Sequence, residues 1–258
     1  MNAIRNKYAY VLKSIKKDKS LTPVFNNLKD KTYVISGGTR GVGLSIAKSL
    51  SSIGANIAIL GRTTTPHPKL EGTIDTAIEE IKNSSTHDNH VMGVVCDVRK
   101  PENIEESINK VKDYFGSINC VVLNASALCL NSTLNQSSKE INLMSSVNIN
   151  GTFMVGQKCL QHIKDQDHGN VLIIAPPVNM LDEDGWWTNH LYYSMSKFNM
   201  SLMAKFWNKE FPGVSVNTLW PRTTLDTAPV RNILGGEAMS NISRHPDIMG
   251  EASKHIMC

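Results

Sequence analysis

No apolar run in this sequence approaches the about 20 residues needed to cross a bilayer; the longest, such as Val171–Ala175, are short buried segments. Nor is there a C-x-x-C pair. The five cysteines, at 96, 120, 129, 159 and 258, are odd in number and scattered. They read as reduced thiols of a cytosol-like compartment rather than a disulfide framework. The eight histidines show no metal-ligand spacing, so no metal is expected. A strongly charged surface is missing as well. The net charge is +4, but residues 1–31 hold eight Lys or Arg against two Asp; +4 overall less +6 here leaves about −2 for the rest. That balance excludes a basic nucleic-acid surface on the globular body.

The basic segment is informative in its own right. Within residues 1–29, Ile4, Tyr8, Leu12 and Ile15 fall near one helical face. A transit sequence, a membrane-surface helix and a solvated arm all fit that pattern. A cytoplasmic protein is the plainest expectation, with mitochondrion and peroxisome left open; the final Ile-Met-Cys is no peroxisomal S-K-L tail. From residue 30 to 258 a single domain is expected, because no linker, repeat or low-complexity tract interrupts it.

That domain alternates. Apolar strands are expected at TYVIS, NIAIL, MGVVC, CVVLN, VLIIA and VSVNTLW. Helical spacing lies between them at 43–52, 75–83, 104–115, 141–163 and 193–211. Near-continuous apolar strands separated by helices mean a parallel sheet covered on both faces. Right-handed crossovers then give a doubly wound α/β sheet of the Rossmann kind.

After the first strand comes SGGTRGVG, Ser36 to Gly43. Gly37, Gly41 and Gly43 stand where a strand turns into a helix. Such a turn lets backbone approach a ligand, and a helix start favours an anion. A ligand-free glycine turn is the bland alternative. The second strand ends in Gly61-Arg62-Thr63, without the carboxylate that grips an NAD ribose. Arg62, helped by Arg40, suits a 2′-phosphate instead, which favours NADP over NAD. An exposed loop charge is the alternative for Arg62. Tyr193 and Lys197, four apart, face one side of a helix. A nearby ammonium is expected to lower the phenol's proton affinity.

These motifs, in this order, resemble the short-chain dehydrogenase/reductase family over about residues 30 to 257. The family's glycine motif appears at Ser36-Gly37-x-x-x-Gly41-x-Gly43, its post-strand Asp at Asp97, and its N-N-A-G at Leu123-Asn124-Ala125-Ser126. Its helix-four Asn appears at Asn148 and its Y-x-x-x-K at Tyr193 to Lys197, with the adjacent Tyr192 out of register. The resemblance implies six strands or so in the order 3-2-1-4-5-6. It implies a cofactor lined by Ser36, Gly37, Gly38, Thr39, Arg40, Gly41, Val42, Gly43, Arg62, Asp97, Val98, Asn124, Lys197, Pro221 and Thr223. Tyr193 would exchange a proton with substrate. Lys197 would tune it and hold the cofactor, and Asn148 would hold a water that joins Lys197 to solvent.

Three departures stand out. The family places a Ser at the end of the fifth strand, where this chain reads Ile174-Ala175-Pro176-Pro177. Losing one such hydrogen-bond donor costs about 10²–10³ in rate. Asn179 or Thr188 is a candidate substitute. Trp186 and Trp187 either cover an apolar substrate or pack on the sheet. Leu123, replacing an Asn, is expected to loosen the fourth strand. No counterpart of the family's last strand follows GEASKHIMC, which leaves homo-oligomer formation uncertain and the sheet edge unusual. Two functional expectations result. One is an NADP-dependent oxidoreductase interconverting a carbonyl and a hydroxyl on an apolar small molecule, lipid-like ones included. The other is a weak or inactive NADP-binding sensor or interaction protein. A fragment that folds poorly is a third.

Overall fold

A computed structural model describes residues 28–67, 70–178 and 189–258. The first strand, β1 (Thr32–Ser36), leads through a glycine turn into α1 (Gly41–Ser51), β2 (Asn56–Gly61) and α2 (Ile74–Asn83). Then come β3 (Val91–Val95), α3 (Pro101–Phe115) and β4 (Cys120–Leu123). Next are α4 (Ser138–Met144), a π-helical segment (Ser145–Gly151), α5 (Thr152–Ile163) and β5 (Asn170–Ile174). The chain ends with α6 (Leu191–Glu210), β6 (Ser215–Leu219) and three helices, α7 (Ala228–Asn232), α8 (Gly236–Ile242) and α9 (Asp247–Met257).

All pairings are parallel, and the strands lie in the expected order β3-β2-β1-β4-β5-β6. Alternate strand residues feed opposite faces. Val34, Leu60, Val121, Leu123 and Ile173 join α3, α5 and α6 in one core. Tyr33, Ile35, Ile59, Val122 and Leu172 join α1, α2 and α9 in the other. Because both faces are covered, the strands carry no polar alternation, which is what made them legible as continuous apolar runs.

Two expectations need correction. Leu123 does not loosen β4: it is fully buried and packs into the first core, its Cδ1 3.2 Å from where a Cβ on Gly156 would stand. The 141–163 stretch is not one helix. It opens into π-helical turns between α4 and α5, a feature that apolar spacing alone does not reveal. The helix start at α4 is sharp because Ser137 and Glu140 form a capping box. At the far end, α9 is anchored to the sheet. Tyr33 Oη donates to Met257 O at 2.8 Å, and Asn170 Nδ2 donates to Ile256 O at 3.0 Å. No helix among the described residues is long and apolar enough to cross a membrane. Their cysteines are all free. Of the expected N-terminal arm, only Leu28 and Lys29 are described; residues 1–27 lie outside.

Candidate active site

The sheet's C-terminal edge collects the sequence motifs. At β1, Gly37 and Gly41 take positive φ, 67° and 53°, which a side chain disfavours. A Cβ on Gly43 would stand 2.3 Å from Gly37 O and 2.5 Å from Asn124 Nδ2, so only glycine lets α1 seat this close to the turn. Asn124 staples the neighbouring strand end to it, its Nδ2 donating to Ser36 O at 3.1 Å and Gly37 O at 3.0 Å. The Ser36 hydroxyl is buried in the same staple, accepting from the backbone of Asn124 and Ala125. Thr39 is also buried, its methyl 2.5 Å from where a Cβ on Gly61 would stand. These two side chains shape the turn from behind. What remains open to a ligand is backbone and the start of α1.

Beside the turn stand two guanidinium groups. Arg40 donates to Gly72 O at 2.7 Å and to Thr63 Oγ1 at 2.9 Å. Its Nε is buried with no hydrogen-bond partner among the described residues. Burial first, and the nearby Arg62 second, lower its proton affinity. Arg62 itself is 59% exposed along its side chain, with Asp97 3.9 Å away. Asp97 is engaged mainly by Arg99, whose side chain and backbone hold its carboxyl well below the usual range, at about 2. Val98, next in line, is buried. A like-charged pair and an unpartnered buried N–H at the end of β2 suit an anion. The glycine cradle fits a dinucleotide, with this cationic pair beside it.

The second cluster lies beyond β4 and β5. Tyr193 and Lys197 share one face of α6, 7% and 2% exposed. The Lys197 ammonium donates to Ile174 O at 2.8 Å, lies 3.5 Å from both Ser126 Oγ and Met200 Sδ, and stands 5.5 Å from the centre of the Trp220 ring. All of these are neutral. Burial therefore governs, and Lys197 falls to about 7. Burial also raises the Tyr193 phenol above its ordinary 10.0. Burial thus moves the phenol in the direction opposite to the lowering expected from Lys197. A neutral phenol is the form that can give a proton away.

Asn148 sits in the π-helical segment, fully buried. Its Oδ1 accepts from Ala127 N at 2.7 Å and Ser126 Oγ at 3.2 Å. Its Nδ2 donates to Ala127 O and Ser196 Oγ, both at 2.9 Å. All four bonding positions of the amide are used. With its side chain, Asn148 clamps the loop after β4 to α6. Tyr192, four residues short of Ser196, reaches Ser145 Oγ at 2.5 Å and leaves the site to Tyr193.

The end of β5 offers no hydroxyl. Ala175 is fully buried in the first core, and Pro176 is buried with its carbonyl taken by Ser201 Oγ at 2.6 Å. Asn179, Trp186, Trp187 and Thr188 lie outside the described residues. Pro221 and Thr223 follow β6, half-buried and exposed respectively. Sequence reasoning quoted Ser126 within its motif but not its place beside Lys197, and it missed two further neighbours: Trp220 at Lys197, and Thr227, whose methyl lies 3.4 Å from where a Cβ on Gly41 would stand. Nothing in spacing flags Trp220 or Thr227, since each reaches the site from a loop.

A family model described as short chain dehydrogenase matches residues 31–235. The chain belongs to the short-chain dehydrogenase family. It is therefore a member of a family of oxidoreductases that bind a nicotinamide dinucleotide. Hydroxysteroid dehydrogenase-like protein 2 of Xenopus laevis is 35% identical over 238 residues, covering 92% of this chain and 56% of that protein. The Mus musculus protein of the same name is 37% identical over 92% of this chain and 47% of its own length. The chain thus spans about half the length of these curated relatives. Among solved structures, a short chain dehydrogenase from Mycobacterium thermoresistibile superposes with a TM-score of 0.81 at 37% identity, covering 89% of this chain and 81% of that one. A short-chain dehydrogenase/reductase from Serratia marcescens, at 19% identity and a TM-score of 0.75, covers 90% of this chain and 92% of its own and shares the fold.

Proposed function

We propose that residues 30–258 form one catalytic domain that uses NADP to interconvert a carbonyl and a hydroxyl on an apolar small molecule. The observation that carries this reading is the convergence, at one sheet edge, of the glycine cradle with a buried Tyr193–Lys197 pair. NADP would supply or accept the hydride. The turn from Gly37 to Gly43 would hold its phosphates by backbone, and Arg40 with Arg62 would favour a 2′-phosphate. Tyr193, neutral through burial, holds the proton that a substrate oxygen takes up on reduction. Lys197, at about 7, is poised to lose or regain a proton near neutrality. Asn148 keeps the loop after β4 in register with α6. An apolar substrate accords with exposed Val178 and Leu191, which flank residues 179–188. The name carried by the relatives points the same way.

Ala175 and Pro176 favour a second reading, in which cofactor binds but turnover is slow for want of a hydroxyl at the end of β5. A panel of apolar ketones and secondary alcohols, assayed with NADPH or NADP, separates the two. The first reading expects turnover that falls by about 10²–10⁴ in Tyr193→Phe while NADPH affinity is kept. Tight NADPH binding with no turnover on any substrate would leave the second. Equal activity of Tyr193→Phe would remove Tyr193 from the mechanism.

A further inference from the structure

The loop between β2 and α2 does more than connect them. Its Gly72 carbonyl and Thr63 hydroxyl accept from Nη2 of Arg40, at 2.7 Å and 2.9 Å, so both N–H bonds of that nitrogen are used. Both acceptors are neutral. They fix the guanidinium without cancelling its charge, as a carboxylate would. Glu71, in the same loop, pairs instead with Arg231 at 3.6 Å, and Asp97 is held mainly by Arg99. Arg40 Nε has no partner among the described residues, so the loop does not saturate the group. The loop is itself braced. Thr63 O accepts from Ile74 N at 2.9 Å, and Thr73 and Thr76 form a capping box at the start of α2. Gly72 has a φ of 86°, and a Cβ there would stand 2.7 Å from Thr39 O, so only glycine brings its carbonyl this close to the turn.

A half-buried arginine beside a like-charged neighbour would ordinarily swing outward, to regain water and to leave Arg62. The two hydrogen bonds oppose that swing. We propose that this loop is the specificity-determining element of the dinucleotide site: Thr63 and Gly72 hold Arg40 beside Arg62, so that a place for a phosphate on the adenosine ribose exists before the ligand arrives. Preorganisation of this kind raises affinity by removing the cost of ordering a long side chain on binding. Thr63 and Gly72 are positioning residues, which act through Arg40 and touch no reacting atom. The loop thereby discriminates between ligands with and without the extra phosphate, and leaves the hold of the glycine turn on the rest of the ligand unchanged. This inference rests on the reading of Arg40 and Arg62 as a 2′-phosphate site.

Thr63 is the residue to change, because no side-chain substitution removes the Gly72 carbonyl. Thr63→Val keeps the shape and loses the acceptor, whereas Thr63→Ser keeps the acceptor. Thermal melting near that of the natural protein is expected for both, since the bond from Ile74 goes to the Thr63 backbone. The probes are adenosine 2′,5′-bisphosphate and adenosine 5′-monophosphate, titrated by calorimetry; they differ only in the 2′-phosphate and need no turnover. The natural protein should bind the bisphosphate about ten-fold or more tightly than the monophosphate. In Thr63→Val that advantage should shrink by about three-fold or more with the monophosphate bound as before, and in Thr63→Ser it should be kept. An unchanged ratio in Thr63→Val, or an equal loss in Thr63→Ser, would overturn the proposal and leave the NADP reading standing. A natural protein that binds both probes alike would remove the 2′-phosphate site and the proposal with it. A smaller advantage in Thr63→Val, beside a natural protein that turns over no ketone or alcohol, would sink the catalytic reading alone.

Discussion

Lys197 is the residue whose setting says most about the site. An ammonium enclosed by neutral partners is held at about 7 by burial, against an ordinary 10.5. The unfolded chain therefore binds one more proton than the folded one between those values. Stability rises with pH wherever the unfolded state holds more protons, so this residue's penalty is full below about 7 and fades towards 10.5. Replacing it with an uncharged side chain of similar length should remove that slope. We expect Lys197→Met to gain stability over the natural protein by a few kcal/mol at about pH 7, with the gain shrinking towards about pH 10. Thermal melts of both proteins across that range check it. A constant difference would show that burial does not lower the proton affinity of Lys197. Only part of this was legible in the sequence. The spacing of Tyr193 and Lys197 showed that they share a face, but not that burial would raise the phenol and lower the amine. That depends on how tightly α6 closes on β4 and β5, which no pattern in α6 alone encodes.

At the scale of elements, the glycine turn and the π-helical segment do the positioning. The turn was plain from sequence, because Gly at 37, 41 and 43 between an apolar run and a helix leaves few other uses. The π-helical turns were not, because SSVNING has nothing to separate it from an ordinary amphipathic stretch. Asn148 was found through its motif, and its task, clamping Ala127 and Ser196, emerged only from geometry. Arg40 divides the same way: its charge was evident, but not that Gly72 and Thr63 hold it in place. The closeness of α1 to the turn yields a direct expectation. Gly43→Ala puts a methyl against Gly37 O and Asn124, and should cost about 1–3 kcal/mol of stability in chemical denaturation. It should weaken NADPH binding as well, since the turn must shift to admit the methyl. Natural stability and affinity in this variant would show that the turn has room to spare.

For the molecule as a whole, the six strands followed from alternation, because a sheet covered on both faces writes its strands as apolar runs, whereas their order came with the family resemblance. The anchoring of α9 through Tyr33, Asn170 and Gly250 was invisible in that pattern. A Cβ on Gly250 would stand 2.4 Å from Ser49 Oγ, so this glycine lets α9 lie directly on α1. The described fold thus brings the glycine turn and the buried Tyr193–Lys197 pair to one edge, and the proposed function depends on their working together. The most direct measurement is a titration of the purified protein with NADPH and with NADH, followed by nicotinamide fluorescence and repeated on Arg62→Asp. The expected result is NADPH binding at least about ten-fold tighter than NADH, a difference of about 1.4 kcal/mol, with the preference lost or reversed in Arg62→Asp. Binding of neither dinucleotide, or NADH bound as well as NADPH by the natural protein, would contradict it.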